Sequence, residues 1–144
     1  MLIGQYHTKV SSKGRVPVPA KFRRELGEVV VVTRWFEGSL ALFSKSSWDI
    51  DQKGILKGAM ITSALRATER FLFGGAYEVE LDEQGRFVVP QMLREYGSFG
   101  AEVVFVGVRE KVEVWDRERW EEIEQKITKG AEELMEQLQK ERRQ

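Results

Sequence analysis

One phrase is written twice in this chain. Residues 10–19 read VSSKGRVPVP and residues 81–90 read LDEQGRFVVP, so setting Gly14 on Gly85 brings Arg15 onto Arg86, Val18 onto Val89 and Pro19 onto Pro90. The likeness continues downstream. GEVVVVTRW (27–35) aligns with AEVVFVGVR (101–109), and ALFSKSSWDI (41–50) with EVWDRERWEEI (113–123), placing Phe43 on Trp115 and Trp48 on Trp120. The alignment needs three inserted residues near 98–100 in the second copy and two near 36–38 in the first. Two copies of one unit, each about 45 residues long, constrain the fold more than any composition could. A unit of that size with four short strands buries too little surface to stand alone. The two copies are therefore expected to pack as an internal pseudo-dimer, their hairpins interleaved into one barrel.

Within each unit the pattern reads strand, turn, strand, short helix, strand, strand, helix. QYHTKV alternates, SSKG and DEQG supply turn residues, and a glycine ends each turn where a positive φ is needed. Pro19 and Pro90 suit the start of a helix and hold Val18 and Val89 extended. The valine runs read as strands buried on both faces or at an interface, joined by turns at 37–39 and 109–111. Between the copies, Ile61, Ala64, Leu65, Thr68, Phe71 and Leu72 predict an amphipathic helix closed by Gly74 and Gly75. Trp120, Ile123, Ile127, Leu134 and Leu138 predict a second, with Asp116 as N-cap, Gly130 as a weak point and a frayed QKERRQ end.

The residue inventory narrows the chemistry. No cysteine and a single histidine, His7, leave no parts for disulfides, thiolate nucleophiles, His-based triads or polyhistidine zinc sites, and no metal or cofactor is expected. His7 reads as a strand residue, and Trp115 and Trp120 as core. Asp49 with Asp51, and Asp82 with Glu83, are explained by caps and turns; no catalytic residue and no small-molecule substrate are expected. There is no run of about 20 apolar residues and no signal-peptide layout, so the expected location is the cytoplasm, with no membrane partner. Net charge is zero, yet Lys9, Lys13, Arg15, Lys21, Arg23 and Arg24 make the first 24 residues purely cationic. Screening beyond about 8 Å makes such a local patch, rather than the total, decide phosphate binding.

The paired SKGRVPVP and DEQGRFVVP motifs, the ERFLFGGA helix end and the VEVWDRERWEE close resemble the MraZ family of bacterial transcriptional regulators, from about Gln5 to about Glu124. The resemblance implies an α+β, mainly β fold: an internally duplicated, swapped-hairpin, AbrB-like β-barrel with flanking helices and a pseudo-two-fold axis. It implies SpoVT-AbrB domains at 5–47 and 76–119, a linking helical segment at 48–75 and a C-terminal helix and tail at 120–144. It also implies a ring-shaped homo-oligomer, nucleoid-associated, that binds double-stranded DNA at short G-rich repeats before the operon for cell division and cell wall synthesis. The family pattern Asp-x-x-x-Arg is intact as Asp82 to Arg86, but Ser11 stands in the first copy where the aspartate would be.

That departure has a chemical consequence. An aspartate can take backbone N–H groups and also pair with the arginine, whereas serine can do only the first. Arg15 is expected to be freer than Arg86, making the first turn, Ser11 to Gly14, the stronger DNA element and the second turn, Asp82 to Gly85, a support. A two-stranded ribbon fits the major groove, and an arginine fork matches guanine O6 and N7. Arg15 is the expected base reader, with Ser12 in its turn and Arg86 a DNA contact from the supporting turn or a structural partner of carboxylates; Lys9, Lys13, Arg23 and Arg24 would hold phosphates. The alternatives are an antitoxin-like DNA-binding protein and a ring scaffold without a DNA role.

Overall fold

The computed structural model describes residues 1–49, 58 and 60–143. Strand β1 (Leu2–Lys9) enters the first turn, β2 (Arg15–Pro17) leaves it, and helix α1 (Ala20–Leu26) follows. Strands β3 (Val29–Arg34) and β4 (Leu40–Ser44) form a hairpin around a 3-10 turn at Phe36–Gly38. A helical turn covers 45–49. Helix α2 (Ser63–Leu72) then leads to β5 (Tyr77–Glu80), β6 (Arg86–Val88), α3 (Gln91–Tyr96), β7 (Glu102–Arg109) and β8 (Lys111–Asp116). Helices α4 (Arg117–Lys129) and α5 (Ala131–Arg142) close the chain. Both units run in the same order.

Six strands form one antiparallel sheet in the order β1-β7-β8-β4-β3-β5. Each outer strand belongs to the other unit: β1 lies on β7, β5 lies on β3, and β4 with β8 joins the units at the centre. Reading the order backwards exchanges the units strand for strand, which is the two-fold relation of a swapped pseudo-dimer. The strands β2 and β6 pair separately as a two-stranded ribbon, Arg15 opposite Val88, Val16 opposite Phe87 and Pro17 opposite Arg86. Two reciprocal bonds, one at each end, fasten the ribbon to the opposite turns: Val18 N–H donates to the Gly85 carbonyl and Val89 N–H to the Gly14 carbonyl, both at 2.9 Å.

Strand alternation divides the apolar side chains between two faces. Val30, Val32, Leu40, Leu42, Val103, Phe105, Val112 and Val114 turn inward, where they meet Val16 and Phe87 of the ribbon and Phe22 and Leu93 of the short helices. Val31, Ala41 and Phe43 face the other way against Trp35 and Leu72 of α2, and Val104 and Trp115 against Trp120 of α4. Burial on both faces is why the valine runs show no polar alternation. Arg34 secures the link between units. Its Nε and Nη2 each donate at 2.9 Å to the carbonyls of Phe71 and Arg70 at the end of α2, while the Thr33 hydroxyl donates to that of Leu72 at 2.6 Å.

The register corrects the alignment of the valine runs by one residue. Tyr6 pairs with Phe105 where Tyr77 pairs with Val32, so Val103 and Phe105 stand in the places of Val30 and Val32. Matching Glu28 to Glu102 had put core positions on the outer face, because a one-residue slip exchanges the faces of a strand. The insertions near 98–100 and 36–38 each shrink by one residue accordingly.

Three helix expectations also change. Ile61 lies before α2, which is capped by Thr62 Oγ1 accepting from Leu65 N–H at 3.1 Å. Asp116 precedes α4 without capping it through its side chain; its Oδ1 accepts instead from Gly100 N–H at 2.9 Å. The expected frayed end is helical to Arg142, and Gly130 divides the C-terminal stripe into two helices. Trp120 is buried, but Ile127, Leu134 and Leu138 are about half exposed. Asp51 lies outside the described residues.

Phe105, buried within the shared core, tests the exchange. Phe105→Ala is expected to cost about 3–5 kcal/mol. Because the outer strands are exchanged, both units should unfold in a single transition in a urea titration followed by tryptophan fluorescence. Two separate transitions would show units that fold independently.

Candidate nucleic-acid interface

The two glycine-arginine turns share one backbone. Gly14 and Gly85 have φ of 77° and 76°, which a side chain would strain. Their N–H groups donate at 2.9 Å to the Ser11 and Asp82 carbonyls, and the Ser11 and Asp82 N–H groups donate to the Arg15 and Arg86 carbonyls at 3.0 and 2.9 Å.

The side chains break the likeness. Asp82 Oδ1 accepts from Gln84 N–H and Arg86 N–H, each at 2.9 Å, and its Oδ2 takes Arg86 Nε at 3.0 Å. The Arg86 backbone N–H is the largest cause holding the Asp82 carboxyl below its ordinary range, joined by the Arg86 side chain and the Gln84 N–H. In the first turn Ser11 Oγ accepts Arg15 N–H at 3.0 Å and does no more. Among the described residues no carboxylate pairs with Arg15. Serine thus keeps one of the aspartate's two backbone bonds, and no carboxylate among the described residues holds the Arg15 guanidinium.

The ribbon directs both arginines. Val16 and Phe87 are buried, and strand alternation turns Arg15, Pro17, Arg86 and the half-exposed Val88 to the opposite, outer face. Arg15 and Arg86 are diagonal neighbours across the ribbon, with Cα atoms about 7–8 Å apart. The two-stranded ribbon that carries them is therefore built from both units at once. Ser12 and Lys13 lie exposed on the first turn.

The remaining cations are dispersed. Lys9 ends β1 opposite Glu102, whose carboxyl is held low chiefly by Arg117 and in part by Lys9. Arg24 is exposed on α1. Arg23 does not join the first turn: its guanidinium fills the space beside Gly85, in the other unit. The counterpart beside Gly14 is Arg94 of α3, a residue missed from the sequence. The repeat carried the signal, since the spacing that sets Pro19 on Pro90 also sets Arg23 on Arg94. His7 lies exposed in β1, and among the described residues no group of potential metal ligands occurs.

A duplicated α+β chain with exchanged strands, two glycine-arginine turns and an outward two-stranded ribbon defines a swapped pseudo-dimer that carries two arginines on one outer face. The family model described as "MraZ protein, putative antitoxin-like" matches residues 1–71 and again 72–142. The chain is 43% identical over 140 residues, 96% of each chain, to the transcriptional regulator MraZ of Caldanaerobacter subterraneus subsp. tengcongensis. It is 42% identical to that of Thermoanaerobacter sp. over 96% of each chain, and 45% identical to that of Moorella thermoacetica over 85% of each. This chain belongs to the MraZ family.

The turns should respond differently to acid. Asp82 has a lowered pKa in the folded chain, so its contribution is complete above the unfolded carboxyl value and is lost as pH falls through the lower folded value. As pH falls through that value, the protection of the Gln84 and Arg86 amides, corrected for the intrinsic exchange rate, should drop before that of Arg15. Equal loss of protection at both turns would contradict the assignment.

Proposed function

We propose that this chain is a DNA-binding transcriptional regulator that reads duplex DNA with its first glycine-arginine turn. The observation that carries the reading is Arg15 itself: on the outer face of a two-stranded ribbon, in a turn with no acid, and unpaired among the described residues. A ribbon of this width enters the major groove, and the planar fork of Arg15 suits guanine O6 and N7. Lys13 and Ser12 beside it suit phosphate and sugar contacts, which position without specifying. Arg86, held by Asp82, supports register from the second half.

The target that fits is a set of G-rich direct repeats in the promoter of the cell division and cell wall operon, with the chain acting on its own transcription. The name "transcriptional regulator" borne by its relatives supports this role. No helix among the described residues is long and apolar enough to cross a membrane. Assembly into a ring would present several ribbons to spaced repeats and multiply a weak single contact. The exposed apolar residues Ile127, Leu134 and Leu138 of the C-terminal helices support such an assembly. The work of this protein is binding rather than catalysis, and it belongs in the cytoplasm at the nucleoid.

A mobility shift on the promoter of the chain's own operon tests the reading. Arg15→Ala should keep its assembly state but lose about 1–3 kcal/mol of specific binding, roughly five- to 150-fold in affinity. Arg86→Ala should lose less. Ser11→Asp, which installs the clamp of the second turn, should weaken binding in the same direction as Arg15→Ala. Wild-type affinity in an assembled Arg15→Ala protein would refute the assignment.

A further inference from the structure

We infer that the cleft beside the first turn is a phosphate site, in which Arg94 holds a backbone phosphate of the duplex whose bases Arg15 reads. The inference rests on the proposed DNA-binding role and adds to it a residue and a site. Each turn is roofed by an arginine from the other unit, Arg94 over Gly14 and Arg23 over Gly85. Each arginine is placed in the same way. The Pro19 and Pro90 carbonyls start the short helices by accepting from Phe22 and Arg23, and from Leu93 and Arg94, at 2.9–3.2 Å. Phe22 and Leu93 anchor the helices in the core, leaving the adjacent arginines half-buried at the turns. A guanidinium positioned in this way loses little freedom when an anion arrives.

The two clefts differ in charge. The first, of about 640 Å³, is lined by Ser11, Ser12, Ser98 and Arg94 with one carboxylate, Glu95. The second, of about 400 Å³, sets Arg23 among four carboxylates, Glu28, Glu80, Asp82 and Glu83. Among the described residues neither arginine is in an ion pair. An anion entering the first cleft meets a guanidinium fork and three hydroxyl donors. One entering the second meets a carboxylate majority that repels it. The pseudo-two-fold is thus broken at both the reader and its neighbour, and on the same side. Because Gly14 adjoins Arg15, a phosphate held by Arg94 would lie next to the base contact and set its register.

The test is the salt dependence of duplex binding, measured by fluorescence anisotropy on target and scrambled duplexes. Arg94→Gln should weaken both by the same factor, roughly three- to tenfold, and reduce the slope of log affinity against log salt by about 0.9 per engaged chain. Arg94→Lys should retain the wild-type slope, and Arg23→Gln, at the acid-lined cleft, should retain it too. Glu95→Gln removes the one carboxylate of the first cleft and should tighten binding to both duplexes, a gain that misfolding cannot produce. An unchanged slope in Arg94→Gln, or an equal fall in Arg23→Gln, overturns the site while leaving the DNA-binding role intact. If Arg94→Gln does not fold, unaltered binding by Glu95→Gln overturns it. Failure of the wild-type protein to bind any duplex would instead remove the role on which the site rests.

Discussion

Backbone pairing between strands of different units is the constraint on which the rest of this molecule depends. The outer strands are exchanged, β1 onto β7 and β5 onto β3, so neither unit can complete its part of the sheet alone. The ribbon of β2 and β6 is the same constraint in miniature, since each of its two strands comes from a different unit. Its reciprocal bonds to Gly14 and Gly85 tie each turn to the opposite half. Those bonds also bring Arg15 and Arg86 onto one outer face, and Arg23 and Arg94 onto turns distant in sequence.

Duplication makes this architecture economical, and divergence gives it direction. A symmetric pseudo-dimer would offer two equal turns. Here Asp82 closes the second turn on its own arginine, while Ser11 supports only the backbone of the first. The difference spreads to the neighbouring clefts, one nearly balanced in charge and the other acid-lined. On the proposed reading, the first half contacts DNA and the second orients it, and assembly supplies the avidity that one ribbon lacks.

Much of this was legible in the residues. The repeat implied an interleaved pair, the glycines marked the turns, and Ser11 against Asp82 foretold which arginine would be clamped. What escaped was geometry between the copies. The identity of Glu28 and Glu102 gave a register one residue out, because side-chain likeness at a strand end weighs less than which face must be buried. Arg23 read only as one of the N-terminal cations, whereas the exchange sets it beside Gly85 and sets Arg94 beside Gly14. Asp116 had the residue type and place of an N-cap, but Gly100 N–H offered it a partner outside the helix.

The central claim is that the two turns are unequal readers. A structure of the assembled protein on its promoter duplex tests it most directly. The account predicts the Arg15 fork on a guanine edge in the major groove while Arg86 keeps its bond to Asp82. Arg86 released into the groove, with Arg15 left in solvent, would contradict it.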